Sequence, residues 1–290
     1  MKFLACLLGL HFATVSLFSQ EPAIQLSKTA GDVEFGTWGN SAKKPAPVLV
    51  VLSGTIRGTL ESAYFRQCGN ELAERDGFLL ISIDIPCHGT QTGEGKPSGL
   101  GGWATRAADG ENIVDEFNVR LSEVVDHLIK EGIADPEKIA VCGTSRGGFL
   151  ALHFLAHDLR VKCAAAFAPV TDLAALREFK GKENLPLTKA MNVAAKAEKL
   201  AGKPAWIVIG DQDERVSTAS VIGCAQAITA ASVAAELDSK VELRVMPEPR
   251  GHTTPKGSAD DAAIWIREQI FGAETNAKTE STSTRQGSLP

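Results

Sequence analysis

The chain has no basic stripe, no cluster of metal ligands and, past its first residues, no long apolar run. Its formal net charge of −5 argues against a nucleic-acid partner, which would need concentrated positive charge to meet the phosphates. Neither Cys-x-x-Cys nor a His-x-His cluster occurs, so no structural metal is expected. No stretch of 18 or more apolar residues lies beyond the N-terminus, so no membrane span is expected in the mature chain. Cysteine is sparse. Of the six, Cys6 falls in the N-terminal leader, leaving Cys68, Cys87, Cys142, Cys163 and Cys224, an odd number with at least one free thiol. Cys142 and Cys163 lie in apolar runs and read as small buried hydrophobes. Cys68 and Cys87 remain a candidate disulfide that spacing alone does not establish.

The leader comes first. Met1-Lys2 carries one positive charge, residues 3–18 are mostly apolar, and Ser19-Gln20-Glu21-Pro22 is abruptly polar. That sequence of segments reads as a signal peptide over residues 1–19, cleaved after Ser19, which implies a secreted or periplasmic protein. The 44% hydrophobic and 22% charged residues fit one sizeable core, a single domain over residues 20–271. Residues 272–290 read as a disordered polar tail.

Short apolar runs recur at residues 47–53, 78–84, 138–143, 162–168, 205–210 and 241–247, and residues 32–38 alternate weakly as an edge strand would. Helical patterns separate them. Ile113, Phe117, Leu121, Val124 and Leu128 share one helix face, and residues 259–271 form a later helical segment. Strands alternating with helices imply an α/β fold, a mostly parallel central sheet with helices on both faces. Two stretches break the rhythm: a Gly-rich segment at residues 86–112, and an insert at residues 171–203 with one helical segment near 187–200. Both should emerge where α/β sheets bind ligands, as pocket rim and small lid.

The run ending at Cys142 enters Gly143-Thr144-Ser145-Arg146-Gly147, and a helical pattern follows at once. Strand, sharp turn and helix with serine at the tip resemble the nucleophile elbow of the α/β-hydrolase family. A serine needs a base, and the base needs an orienting acid. Gly210-Asp211-Gln212-Asp213-Glu214-Arg215-Val216 follows a strand and is similar to the family's acid turn. That similarity selects Asp213 and leaves Asp211 as a turn former. Gly251-His252 follows the next strand, and the order Ser145, Asp213, His252 is the family's order. His127, His153 and His157 fall in helical patterns and read as surface or satisfied side chains.

The resemblance also implies two N–H donors for the oxyanion. One is the backbone of Arg146. The other is Thr55, in Leu52-Ser53-Gly54-Thr55, with Ile56 the alternative by a one-residue shift. The Arg146 side chain either brings charge to the pocket or enters a salt bridge beneath it, the reading favoured here. Asp84-Ile85-Pro86-Cys87-His88-Gly89 resembles the turn after the family's fourth strand. His88 then lines the pocket or serves structure, and Ile56, Trp103 and Tyr64 are further pocket candidates.

These features imply an enzyme cleaving small-molecule carboxylic esters through an acyl-enzyme, with no metal or organic cofactor. The same elbow, with Ala168-Pro169-Val170-Thr171-Asp172 after it, is also similar to the catalytic domain of the prolyl-oligopeptidase family, whose members are peptidases. Only about 25 residues lie between the leader and the first long strand, so the large N-terminal domain of those peptidases is not expected, and the ester reading is preferred. Acyl transfer to an alcohol and a non-catalytic binding role on the same scaffold are the remaining alternatives.

Overall fold

An eight-stranded sheet organises the computed structural model, which describes residues 22–39 and 43–272. The leader expected at residues 1–19 and the tail beyond Gly272 lie outside the described residues. The strands are β1 (Gln25–Lys28), β2 (Glu34–Trp38), β3 (Ala46–Leu52), β4 (Leu79–Ser82), β5 (Ala134–Thr144), β6 (Val161–Phe167), β7 (Ala205–Gly210) and β8 (Val241–Met246). Their spatial order is β1-β2-β4-β3-β5-β6-β7-β8. The pairs β1–β2 and β2–β4 are antiparallel and the rest parallel. The helices are α1 (Ile56–Leu60), α2 (Ala63–Arg66), α3 (Gly69–Asp76), α4 (Gly99–Ala108), α5 (Ile113–Lys130), α6 (Arg146–His157), α7 (Pro186–Met191), α8 (Ala197–Leu200), α9 (Thr218–Ala234) and α10 (Ser258–Phe271).

Central strands are apolar at every position because both sheet faces are covered. Val48, Val50, Leu52 and Val141 belong to one core layer with residues of α5, α6 and α9. Leu49, Val51, Cys142 and Trp206 turn the other way, toward α3 and α10. The α5 stripe from Ile113 to Leu128 is buried as its spacing predicts, and Asn112 caps that helix by accepting from the N–H groups of Val114 and Asp115. The chain leaves β3 toward β4 on one side and reaches β5 on the other. The carboxyl ends of β3 and β5 therefore flank a crevice, the usual place for a ligand in an open α/β sheet.

The structure departs from the sequence reading in several places. β1 has four exposed residues and no apolar pattern, and it joins the sheet by pairing with β2. The helix expected near 187–200 is broken at Asn192, whose ψ of 140° is extended. The Asn192 side chain accepts from Leu173 N–H and donates to Asp172 at 2.7 Å, a local competition that ends the helix. Phe179, Met191, Val193 and Leu200 bind that insert into the main core. The irregular segment at 86–112 contains α4, whose Trp103 is fully buried. Cys68 and Cys87 are both free thiols, and so are the other three. They cannot pair, because Cys68 belongs to the core layer on one face of the sheet and Cys87 to that on the other.

Candidate active site

Ser145 sits between β5 and α6 with φ 57° and ψ −116°, a conformation that costs a non-glycine residue about 1–3 kcal/mol. The surrounding backbone holds it there. Ser145 N–H donates to Phe167 O at 2.8 Å, and its carbonyl accepts from Phe149 and Val170. The flanking glycines are required by space. A Cβ at Gly143 would lie 2.3 Å from the Gly147 carbonyl, and one at Gly147 only 1.8 Å from Leu52 O. The elbow is thus pressed against the end of β3, and the Arg146 N–H at the start of α6 is left without a helical partner.

The loops after β7 and β8 bring the other two groups to Ser145. His252 Nε2 lies 2.9 Å from Ser145 Oγ, and His252 Nδ1 lies 2.7 Å from Asp213 Oδ2. Asp213 is buried, and its second oxygen accepts from the N–H groups of Arg215 and Val216. Those bonds fix the carboxylate and leave one oxygen for the imidazole. Asp211 takes no part in this chain; it accepts from Glu248 N–H at 2.9 Å and ties the β7 and β8 loops together.

A clamp that no sequence motif announces joins serine and histidine from behind. Buried Gln67 donates from Nε2 to Thr144 Oγ1 at 3.2 Å and to Thr254 Oγ1 at 3.0 Å. Thr144 precedes Ser145, and Thr254 follows His252 by two residues. Tyr64 Oη accepts from Thr254 N–H on the same loop.

The cleft at Ser145 has a volume of about 230 Å³ and is lined by Ser53, Tyr64, Phe65, Arg146, His252 and Thr253 among others. Ile56, His88 and Trp103 do not line it. Ile56 is core, packed against Gly36, and its N–H already donates to Asp84 Oδ1 at 2.8 Å, which removes it as an oxyanion donor. Trp103 is fully buried, donates to Pro86 O at 2.7 Å and packs on Phe149. Thr55, in the loop after β3, caps α1 through its hydroxyl, which accepts from Gly58 N–H, and it is not among the residues that line the cleft. His88 is half-buried, with Nδ1 at 2.9 Å from Pro86 O, and burial pushes its pKa below the ordinary histidine value. The Arg146 side chain makes no salt bridge among the described residues, contrary to the reading favoured from sequence. Its Nε donates to Ser53 O at 2.8 Å. Burial, aided by nearby Arg215, pushes its pKa down from the usual arginine value.

Buried acid, imidazole and a serine on a strained elbow, at the switch point of this sheet, define a serine hydrolase of the α/β-hydrolase fold. The chain belongs to the prolyl oligopeptidase family, whose profile matches residues 104–271, more than half its length. Over 54 residues it is 50% identical to the acylamino-acid-releasing enzyme of Arabidopsis thaliana, a match that covers 18% of this chain and 7% of that protein. Among solved structures it is similar to TT1662 from Thermus thermophilus, with a TM-score of 0.63 at 20% identity over 86% of this chain and 99% of that one. It is also similar to a cold-adapted esterase from an Arctic intertidal metagenomic library, with a TM-score of 0.61 at 16% identity over 88% and 100% of the two chains. Identities this low speak to fold. No helix among the described residues is long and apolar enough to cross a membrane.

Proposed function

We propose that this serine hydrolase cleaves small carboxylic esters through an acyl-enzyme, with Ser145 as nucleophile, His252 as base and acid, and Asp213 holding His252. The observation that carries the reading is the unbroken pair of hydrogen bonds, 2.7 Å from Asp213 to His252 and 2.9 Å from His252 to Ser145. His252 Nε2 takes the hydroxyl proton as Oγ attacks the carbonyl carbon, and buried Asp213 stabilises the imidazolium. The oxyanion turns toward the backbone N–H groups of Arg146 and Thr55. The imidazolium then protonates the leaving alkoxide, and water, activated by the same histidine, releases the acid.

Two features support short-chain esters, the second of them against amides. The cleft of about 230 Å³ falls below the roughly 300–1,000 Å³ usual for drug-sized ligands, which favours short acyl chains. The leaving side is open, with His252 and Tyr64 both exposed, so little there would hold an amine in line for protonation as it departs. The rival reading, a peptidase, is favoured by the family and by the local match to the acylamino-acid-releasing enzyme. Specificity constants on matched short-chain aryl esters and aminoacyl anilides separate the two. Esters should win by a wide margin, and comparable anilide cleavage would promote the peptidase. Fluorophosphonate should label Ser145, and Ser145→Ala should lose label and turnover while keeping the fold. An unlabelled wild type would point instead to a binding protein. The leader supports export; N-terminal sequencing of the mature protein should begin at Gln20.

A further inference from the structure

Among the described residues, the arginine next to the reacting serine has no acid to neutralise it. Arg146 anchors one nitrogen, Nε, on the Ser53 carbonyl, and its Nη2 lies near Gly54, which His88 also approaches. A Cβ at Gly54 would be 3.5 Å from Arg146 Nη2 and 3.6 Å from His88 Cδ2. No carboxylate among the described residues comes within salt-bridge distance. Arg120, which also lacks a salt bridge among the described residues, still lies in the field of Glu116, Asp84 and Glu123. The charge that acts on Arg146 is a second cation, Arg215, already committed to Glu178 at 2.8 Å. Keeping a guanidinium half-buried and unpaired is unfavourable, and a bound anion would remove that penalty.

We infer that the Arg146 guanidinium is a carboxylate-binding subsite and that the enzyme takes esters whose acyl chain ends in a carboxylate. This rests on the ester-hydrolase reading and names its substrate class. The leaving alcohol must face His252, beyond β8, to receive its proton. Arg146 reaches the opposite way, to the end of β3, so what it meets is the acyl portion. Its planar fork of N–H groups matches a carboxylate in two parallel hydrogen bonds, which a neutral chain end does not offer. The small cleft suits a short diacid such as succinyl or glutaryl. In the reaction, water adds to the ester carbonyl carbon, the carbon–oxygen bond to the alcohol breaks, the alcohol leaves with a proton, and the free diacid remains.

The test compares monoethyl glutarate with ethyl pentanoate, for wild type and Arg146→Gln, by acid release in a pH-stat. In wild type the acidic ester should have at least a tenfold higher kcat/KM. In Arg146→Gln that ratio should fall by at least tenfold, whatever the neutral ester itself loses. A wild-type ratio near one, or a ratio that Arg146→Gln leaves unchanged, overturns the inference. Calorimetric titration with free glutarate gives an answer independent of turnover. Binding to wild type that Arg146→Gln abolishes upholds the subsite, whereas no binding, or equal binding to both, overturns it. If neither ester is cleaved and Ser145 takes no fluorophosphonate, the hydrolase reading fails, and the titration alone decides the subsite.

Discussion

Replacing Gln67 by glycine should separate holding the site from holding the fold. Gln67 has φ 47° and ψ −126°, a conformation that costs a side-chain-bearing residue about 1–3 kcal/mol. Gln67→Gly releases that strain. Against it stand the hydrogen bonds to Thr144 and Thr254, each contributing about 1 kcal/mol net, and about 0.5–1 kcal/mol for the freer unfolded chain. The vacated space is polar-lined and can take water. These changes nearly cancel, so Tm should move by less than about 5 °C. Gln67→Ala keeps the strain and loses the bonds, so it should be less stable than the glycine variant, the reverse of the usual order. Activity should respond differently. The loop carrying His252 loses its tie through Gln67 to Thr144 at the end of β5, next to Ser145, and a misplacement of about 1 Å at such a site can cost about a hundredfold. We expect kcat on a short-chain aryl ester to fall by about ten- to a hundredfold with Tm nearly unchanged. Initial rates and thermal melts on the same samples check this. Retention of half the wild-type rate, or a melt lowered in step with the rate, would refute the clamp.

Other expected outcomes follow from single contacts. Asp213→Asn should cost about ten-thousandfold in kcat, because an amide neither holds the imidazole tautomer nor stabilises its cation. Asp211→Asn should leave turnover nearly intact, and reversed effects would move the acid assignment to Asp211. Gly147→Ala places a Cβ 1.8 Å from Leu52 O, so the elbow must move by more than about 1 Å and the rate should drop at least about a hundredfold; wild-type rates would contradict the close packing. Burial lowers the pKa of His153 to about 4, while its Nε2 donates to Met191 O at 2.8 Å. Unfolded, it titrates near 6.5. Below that pH the unfolded chain binds the extra proton, so stability is whole above about 6.5 and falls as pH drops toward 4. The slope is about 1.4 kcal/mol per pH unit, about 3 kcal/mol in all. Urea midpoints at pH 7 and 4.5 should show this loss for wild type and less of it for His153→Gln.

The alternation of strand and helix, and the placing of Ser145, Asp213 and His252 each just past a strand, were legible because these signals are local. A strand covered on both faces must be apolar throughout, and a tight turn after it needs glycine and short polar residues. Everything that depended on the direction of a side chain or the state of a backbone N–H was decided by the tertiary structure. Ile56 is excluded as an oxyanion donor by Asp84, which lies on another loop. Trp103 turns inward to Pro86 instead of lining the cleft. Cys68 and Cys87 stand on opposite faces of one sheet, which no spacing reveals. Arg146 follows the serine in sequence, but that no carboxylate among the described residues pairs with it emerges only from the tertiary structure. Gln67 has no motif at all, since its role arises where the end of β5 and the loop after β8 pass on either side of it. Periodicity encodes which face of an element is buried. Which groups meet at the sheet edge depends on contacts between residues far apart in the chain, and no local pattern carries that information.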